Sequence, residues 1–332
     1  MKPSKTSSTP PLLLCGLLLL GASVKSAEAD LLEAGKPLAL NGTRGRFDFL
    51  AIDVEGRRLL AAHTGNSSLD IIDLDHEGVT KIIPTGAAQS AAVDVKARRY
   101  YVSVSKPPQL VILDAENLAV VGKVPLSGPA DLLAFNSKEG RVYVGHDDGK
   151  ELWVIDPSTA KITATVELPS EAPEDLGFDT PNKRLFQAMK IASTVAVIDL
   201  ATNKVTADWS TAPAKGPHGM AVLNDEGAIL LAGANGKLVM MSQDDGKVVS
   251  SAEIGPGVDQ IAYDPELHRV YCASSTGKII IVQVAKDNLT TVGTVASSEG
   301  ARSVAVDLKT HNVWIAYAKG EASFLQPFMP AK

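Results

Sequence analysis

The sequence contains few cysteines and few aromatic residues. Two cysteines, Cys15 and Cys272, occur in 332 residues, and Phe, Tyr and Trp make up 5% of the chain. Because Cys15 lies in an apolar N-terminal segment that we expect to be removed, only Cys272 belongs to the folded protein, which excludes an internal disulfide. Cys272 lies within the apolar segment RVYCAS, and this position indicates a small buried side chain rather than a reactive thiol.

The sequence also lacks the short motifs of several enzyme classes. It contains no HExxH, no CxxC and no EF-hand loop, so any metal site would have to be assembled from separate segments of the chain. No GxSxG motif is present, which argues against a covalent serine mechanism.

The N-terminus has the three parts of a secretory signal peptide. Lys2 and Lys5 precede an apolar run at 12–21, and the small-x-small sequence AEA follows at 27–29. This order predicts a signal peptide over 1–29, and therefore an exported protein that is periplasmic or extracellular. The apolar run is too short for a stable membrane span.

The exported chain is expected to be free of lipid and acidic. Leu14 stands before Cys15, where a lipoprotein site would have a small residue, so we expect no lipid anchor. Without the signal peptide the chain has 29 basic and 37 acidic residues and a formal charge of −8. Together with the low aromatic content, this charge argues against binding to single-stranded nucleic acid, which needs a basic groove with stacking aromatic side chains.

One pattern is repeated seven times: an apolar strand with a polar residue near its end, a short polar turn, and a second apolar strand. It reads FDFLAIDVEGRRLLAAH from Phe47 and RSVAVDLKTHNVWIAY from Arg302. The seven anchor positions are Asp53, Asp94, Asn136, Asp179, Leu223, Asp264 and Asp307. Their spacings are 41, 42, 43, 44, 41 and 43 residues. A period of this size, built from short strands, predicts an all-β fold over 30–332, a single seven-bladed β-propeller with four-stranded blades.

The third strand of several repeats ends in an aspartate. These residues are Asp73, Asp114, Asp156 and Asp199. The later repeats have Ser242, Gln283 and Gln326 instead, and these cannot share the chemistry of a carboxylate. We therefore interpret the aspartates as turn residues that accept hydrogen bonds from the following backbone.

The last repeat has too few residues for a complete blade. After its second strand there is room for one more strand, around 322–328, before the chain ends. An unpaired edge would invite aggregation. The unassigned segment LLEAGKPLAL at 31–40 is therefore predicted to supply the outer strand of the last blade and to close the ring.

The blade formula resembles that of a known group of propellers. The segments RRYYVSVSKPPQLVILD (98–114), RVYVGHDDGKELWVID (141–156) and GVDQIAYDPELHRVYCASSTGKIIIV (257–282) resemble the YVTN-repeat β-propellers of the YncE-like kind. The resemblance implies a secreted or periplasmic propeller. It does not imply one activity, because relatives in the wider superfamily bind ligands, bind single-stranded DNA, hydrolyse lactones or carry redox cofactors.

A ring of polar residues is predicted at one end of the central channel. The residue five positions before each anchor is polar in every repeat; these ring positions are Asp48, Gln89, Asp131, Glu174, His218, Asp259 and Arg302. By symmetry they should surround the channel mouth. The loops after the second strands are expected to bring five further side chains to the same face: His63, His146, Asp147, Met189 and Tyr317.

The composition of this ring suggests a binding site. Carboxylates held close together either take up protons or hold a cation. Asp48, Glu174, His218 and Asp259 are therefore the candidate ligands of a divalent metal, the one cofactor that the ring suggests. Arg302 could instead bind a carboxylate or phosphate. The alternative is that the ring binds nothing and its polar residues only contact solvent at the rim of the channel.

Three functions follow as hypotheses. The first is a monomeric binding protein that holds a small polar ligand, a metal ion or a partner protein at the ring, with His63 and His146 as outer contacts. The second is a lactonase-like hydrolase with Glu174 or His218 as base and Arg302 as electrostatic clamp. The third, single-stranded DNA binding, has only the resemblance in its favour. No catalytic residue is assigned, and the first hypothesis is preferred.

Overall fold

The computed structural model describes Met1 and residues 31–76 and 78–331. Apart from Met1, the predicted signal peptide lies outside the described residues. The described chain folds into seven antiparallel sheets arranged as blades around a central channel. This confirms the all-β, seven-bladed propeller.

Each blade runs from an inner strand at the channel to an outer strand at the periphery of the propeller. In blade 1 the strands are Leu50–Asp53, Arg58–His63, Ser68–Asp73 and Gly78–Ile83; in blade 2, Ala88–Asp94, Arg99–Val104, Gln109–Asp114 and Val120–Pro125; in blade 3, Ala130–Asn136, Arg141–His146, Glu151–Asp156 and Lys161–Glu167; in blade 4, Pro173–Asp179, Arg184–Met189, Thr194–Asp199 and Lys204–Ser210. In blade 5 they are Pro217–Leu223, Ala228–Gly233, Lys237–Ser242 and Val248–Glu253; in blade 6, Val258–Asp264, Arg269–Ser274, Thr276–Ala285 and Asn288–Glu299; in blade 7, Ser303–Asp307, Asn312–Lys319 and Ala322–Pro330. A short 3-10 helix, Thr64–Asn66, follows the second strand of blade 1.

The N-terminal segment completes blade 7, as the sequence predicts. Two short strands, Leu32–Ala34 and Leu38–Ala39, both pair antiparallel with Ala322–Pro330. The outer strand is therefore interrupted between them but covers the edge along most of its length. The inner strand of blade 7 in turn lies against the inner strand of blade 1, so the ring is closed.

The anchor residues organise the turn between the first and second strands. The Asp53 carboxylate accepts a hydrogen bond from the backbone N–H of Gly56, and Asp94 accepts one from Ala97 in the same way. The residue four positions after each anchor has a positive φ, between 50° and 65°, in all seven blades. Glycine fills this position only at Gly140 and Gly227. In the six blades whose anchor is Asp or Asn, the side-chain bond of the anchor thus helps hold a backbone conformation that most residues adopt at some cost.

The aspartates at the ends of the third strands are turn residues, as predicted. Asp114 Oδ1 accepts hydrogen bonds from the backbone N–H groups of Glu116 and Asn117, and Asp199 Oδ1 accepts from the N–H and hydroxyl of Thr202.

The hydrophobic core lies between the blades. It divides into seven clusters of buried apolar residues, and each cluster is formed mainly by the facing sides of two neighbouring blades. Cys272 is completely buried in the cluster between blades 5 and 6. Burial raises the pKa of its thiol, which agrees with the prediction of a buried, unreactive cysteine.

Candidate functional site

The ring positions line one cavity at the channel mouth. All seven contribute to its wall, together with Arg46, Asp147 and Lys190. The cavity has a volume of about 170 Å³. We call it the mouth cup, and its lining residues are Arg46, Asp48, Gln89, Asp131, Asp147, Glu174, Lys190, His218, Asp259 and Arg302.

Hydrogen bonds between the inner strands of neighbouring blades hold the ring in place. The innermost strand of a blade has unpaired N–H groups on its channel side. The residue after the ring position supplies an acceptor in three blades: Ser90 Oγ accepts from Leu133 N at 2.9 Å, and Asp175 Oδ2 accepts from Met220 N at 2.8 Å. Gln260 is the third such residue.

Gln260, which follows the ring residue Asp259, links three blades. Its Oε1 accepts hydrogen bonds from the backbone N–H groups of Leu50 in blade 1, at 2.9 Å, and Val304 in blade 7, at 3.3 Å. Its Nε2 donates to the Leu50 carbonyl at 2.7 Å. A side chain from blade 6 therefore bonds to the inner strands of both blade 7 and blade 1.

A close backbone contact fixes the position of His218. The next residue is Gly219, where a Cβ atom would lie 2.8 Å from the backbone nitrogen of Ile261 in blade 6. The inner strands of blades 5 and 6 approach this closely because position 219 has no side chain. His218 Nδ1 lies 2.7 Å from the Gly216 carbonyl, which leaves Nε2 facing the cup, 3.7 Å from Glu174 Oε1.

Three of the acidic groups in the cup are paired with cations. Lys190 Nζ donates to Glu174 Oε1 at 2.7 Å. The other two pairs are Arg46–Asp48 and Arg302–Asp259, each at 3.2 Å. Asp131 and Asp147, both from blade 3, have no cationic partner within salt-bridge distance in the described chain.

Three carboxyl groups of the cup, those of Asp48, Asp131 and Glu174, bind protons more tightly than isolated ones. Burial, with a further contribution from Asp259, raises the pKa of Asp48 to about 7. Burial and then the charges of Glu174, Asp48 and Asp147 raise the pKa of Asp131 well above its usual value. The pKa of Glu174 is also raised by burial, against the opposing effects of His218 and Lys190. The cup therefore favours a ligand that brings positive charge to these groups.

His63 does not lie at the cup, and its predicted role as an outer contact is wrong. The side chain is completely buried, and Nδ1 lies 2.7 Å from Asp70 Oδ2. Its Nε2 is 3.1 Å from Ser323 Oγ, and the ring stacks on Phe47 with centroids 3.9 Å apart. Both ring nitrogens are used inside the protein, so none remains for a ligand.

His146, Met189 and Tyr317 are also directed away from the cup. His146 Nδ1 lies 2.6 Å from Glu151 Oε2, and its ring packs against Trp153. Met189 and Tyr317 are buried in the core. The predicted contact of His146 with a ligand is therefore not supported.

The alternation of side chains along a strand explains these errors. His63, His146 and Met189 occupy equivalent positions, at the ends of the second strands, and point into the blades. The next residue points the other way, and it is this position that brings Asp147 and Lys190 to the cup. Sequence reasoning missed Lys190 for this reason. It also missed Arg46, which precedes the first strand of blade 1 and carries no repeat signal.

The expected metal site is not formed. Within residues 31–76 and 78–331, no group of three or more His, Cys, Asp or Glu side chains is arranged to hold a metal ion. Asp48, Glu174 and Asp259 are each engaged by a basic side chain of the cup. The ring therefore brings the predicted ligands into one cavity but not into one coordination sphere. In the same described residues, no helix is long and apolar enough to cross a membrane.

Sequence comparison finds YncE proteins. The chain is 24% identical over 151 residues to a YncE protein of Salmonella typhimurium (strain LT2), and 23% identical over 151 residues to one of Salmonella typhi. Each match covers 44% of this chain, and the chain spans 42% of the length of each relative. No family model matches the chain.

Comparison with solved structures finds propellers of low sequence identity, which shows the fold alone. Hydrazine synthase of Kuenenia stuttgartiensis aligns with a TM-score of 0.72 at 14% identity, covering 84% of this chain and 96% of that one. The WD40 repeats of RRP9 give 0.76 at 10% identity, with 89% and 100% coverage, and U3-55K gives 0.77 at 11% identity, with 90% and 100% coverage. The match to the Salmonella proteins and the seven-bladed architecture together confirm the resemblance to YncE-like propellers.

Proposed function

We propose that this protein is an exported binding protein that holds a small polar ligand in the mouth cup. One observation carries the proposal: the same structural position is polar in all seven blades, and all seven side chains line a single cavity. A solvated rim would accept Ser, Thr, Lys or Asn at this position equally well, and none of them occurs there.

The size of the cup favours a small ligand. Its volume of about 170 Å³ is below the roughly 300–1,000 Å³ of pockets that hold drug-sized molecules. A partner protein would meet only the rim of such a cavity, so a small molecule is the better fit.

The lining is suited to a ligand rich in hydrogen-bonding groups. Every residue that lines the cup is charged or polar, and ion pairs hold several of these groups in fixed positions. A ligand that bonds to them replaces water without leaving buried polar atoms unsatisfied. An apolar ligand would gain nothing from such a wall.

A thermal-shift screen of small polar compounds tests this proposal. Amino acids, sugars, polyamines, small carboxylates and divalent metals are added singly to the purified protein from residue 30 onward. A ligand that binds only the folded state raises the melting temperature in proportion to its concentration and affinity. The double variant Glu174→Gln/Asp259→Asn should lose the response while remaining folded.

A matched variant controls for the change of charge. Glu116→Gln/Glu266→Gln removes the same two charges from exposed positions outside the cup, and it should respond as the parent does. If no compound of the panel stabilises the parent, or if the cup variant responds as the parent does, the ring is only a solvated rim. Turnover of lactones and esters by the parent, lost in His218→Gln, would instead favour the hydrolase.

A further inference from the structure

The acidic groups of the mouth cup are unequally neutralised. Glu174, Asp48 and Asp259 each have a basic partner at 2.7–3.2 Å. Asp131 and Asp147 line the same cavity, but within the described part of the chain no basic side chain lies within 4.0 Å of either and no group donates a hydrogen bond to their carboxyls. Both belong to blade 3, so this side of the cup is an anionic pole without a direct ionic partner. The Lys190 ammonium is bonded to Glu174 and acts on Asp131 only from beyond that distance.

Arg302 gives the cup a cationic pole with unused donors. Its Nε faces Asp259 Oδ2 at 3.2 Å, and the side chain is 37% exposed. Among the described residues, neither of its terminal nitrogens has a hydrogen-bond acceptor. A guanidinium edge of this kind matches the two oxygens of a carboxylate. Arg46, bonded to Asp48 through one nitrogen only, lines the same cavity and precedes the first strand of blade 1, the next blade of the ring.

The two poles face each other across the cup. Arg302 belongs to blade 7 and Asp131 to blade 3, and in a ring of seven blades these are separated by three steps in one direction and four in the other. A ligand that spans the cavity therefore meets opposite charge at its two ends.

We propose that the ligand of the mouth cup is a small zwitterion, a free amino acid or a close analogue, whose ammonium group faces Asp131 and Asp147 and whose carboxylate faces Arg302. This inference rests on the proposed function and specifies its ligand. An amino acid suits a cavity of about 170 Å³, and its two charged groups supply the partners that both poles lack.

Ligands with one charge fit less well. A simple amine leaves the Arg302 donors unpaired, and a simple carboxylate leaves the blade 3 acids unpaired and adds a negative charge to a cavity with five acidic groups. Sites built for hydrogen bonds reject analogues that leave their polar groups without partners. Burial and its acidic neighbours raise the pKa of Asp131, and a bound ammonium group would favour its ionised form.

A matched set of probes tests the proposal by calorimetry and thermal shift. L-serine carries both charges, ethanolamine lacks the carboxylate, and 3-hydroxypropanoate lacks the ammonium group. If another standard amino acid binds more tightly than L-serine, its own amine and carboxylic acid analogues are used. The zwitterion should bind at least roughly tenfold more tightly than either analogue, since each analogue loses one charge-assisted contact.

Two variants assign the poles. Asp131→Asn should weaken binding of the zwitterion and reduce its advantage over 3-hydroxypropanoate, while its advantage over ethanolamine remains. Arg302→Gln should show the reverse pattern. Asp148→Asn and Arg98→Gln, which change exposed residues outside the cup, should leave all affinities unchanged. A variant that merely disturbed the fold would reduce the affinity of every probe equally, and its unliganded melting temperature would fall.

The outcomes separate this inference from the proposed function. Binding of the zwitterion with the crossed response of the two variants supports both. If a sugar or a singly charged compound binds in the cup and no amino acid does, the zwitterion is wrong but the binding function stands. If the zwitterion binds and neither variant alters the discrimination, the assignment of the poles is overturned. If no polar compound binds, both proposals fall.

Discussion

Arg57 of blade 1 donates two parallel hydrogen bonds to the carboxylate of Asp307 in blade 7. The two distances are 2.9 Å and 2.7 Å, and the residues are 250 positions apart in the sequence. The Asp307 side chain is only 2% exposed and that of Arg57 13%. This bidentate pair joins the first and last blades. Asp307 also accepts a hydrogen bond from the backbone N–H of Lys309 in its own turn. The ring is therefore held shut by a buried ion pair as well as by the shared sheet of blade 7.

Removing the Arg57 side chain should weaken the ring markedly. Arg57→Ala leaves the buried Asp307 carboxylate without its cation, and breaking a buried pair in this way costs about 3–5 kcal/mol. Chemical denaturation monitored by circular dichroism measures the free energy of unfolding.

Arg98 offers a matched control for this prediction. It occupies the same position in the turn of blade 2, with the same positive φ of 54° as Arg57. However, its side chain is 67% exposed and meets Glu116 at 3.4 Å. Arg98→Ala should cost less than about 1 kcal/mol. Equal losses for the two variants would show that the ion pair adds nothing to ring closure.

A second contact between blades 1 and 7 lies nearer the mouth, at His63. The imidazole is bonded to Asp70 on one side and faces Ser323, in the third strand of blade 7, on the other. Ser68 Oγ also donates to Asp70, at 2.6 Å. Asp70→Ala leaves two buried groups without an acceptor, and we expect a loss of about 2–4 kcal/mol in the free energy of unfolding.

The matched variant in the same strand is Asp73→Ala. Asp73 is 41% exposed and accepts its hydrogen bonds within the turn, so its removal should cost about 1 kcal/mol or less. If Asp70→Ala unfolds at the denaturant concentration of the parent, the buried His63 network does not contribute to stability.

The closing strand itself can be tested by truncation. A chain that begins at Asn41 lacks both outer strands of blade 7 and loses Leu32 and Leu40, which are 3% and 2% exposed. Burial of two leucines is worth about 3–6 kcal/mol, and the exposed edge of Ala322–Pro330 would favour aggregation. We expect a large fall in melting temperature and in soluble yield. A chain that begins at Leu31 keeps both strands and should behave as the parent; equal melting temperatures for the two truncations would contradict the role of the closing strand.

The fold could be predicted from the sequence because its information is repeated. The spacing of the anchors, the apolar strands and the unfilled place in the last blade all follow from one 41–44-residue unit. The position of the anchors in the repeat could be predicted, but not all of their hydrogen bonds. Asp53 also accepts from Tyr100 of blade 2, and Asp264 lies 2.6 Å from His311 of blade 7. Such contacts between blades depend on three-dimensional neighbours that no single repeat encodes.

The candidate site could be predicted to the extent that it obeys the symmetry of the ring. All seven ring positions reach the mouth cup because each lies within two residues of the start of an equivalent inner strand. The outer contacts could not be placed, because a shift of one residue reverses the direction of a side chain on a strand. The side chain of His63 therefore points into its blade, whereas that of Lys190 points into the cup. The predicted metal ligands do not share one coordination sphere in the described residues. Sequence shows which carboxylates are close, but not that Arg46, Lys190 and Arg302 pair with them.

The acids beneath and around the cup should make stability depend on pH near neutrality. Burial raises the pKa of both Asp48 and Asp175 to about 7, from an ordinary value of 3.8. Asp175 lies behind the ring, accepts from the N–H groups of Met220 and Leu176, and is further raised by Glu174 and Asp259. Between about pH 4 and 7 the folded protein therefore keeps protons that the unfolded chain has released.

The sign of the effect follows from this difference in bound protons. Raising the pH through this window favours the unfolded chain, so stability should fall as pH rises from 5 to 8, by at most about 1.4 kcal/mol per pH unit for each group. Asp175→Asn keeps an oxygen that can accept from Met220 N but cannot ionise, and its melting temperature should fall less over the same range. Asp199→Asn is the control, because hydrogen bonds from Thr202 lower the pKa of Asp199 and move its titration out of this window. Melting curves of the three proteins at pH 5, 6, 7 and 8 decide the matter. A parent protein that is more stable at pH 8 than at pH 5 would contradict the expected direction. An Asp175→Asn curve parallel to that of the parent would show that the Asp175 carboxyl is ionised in the folded state throughout this range.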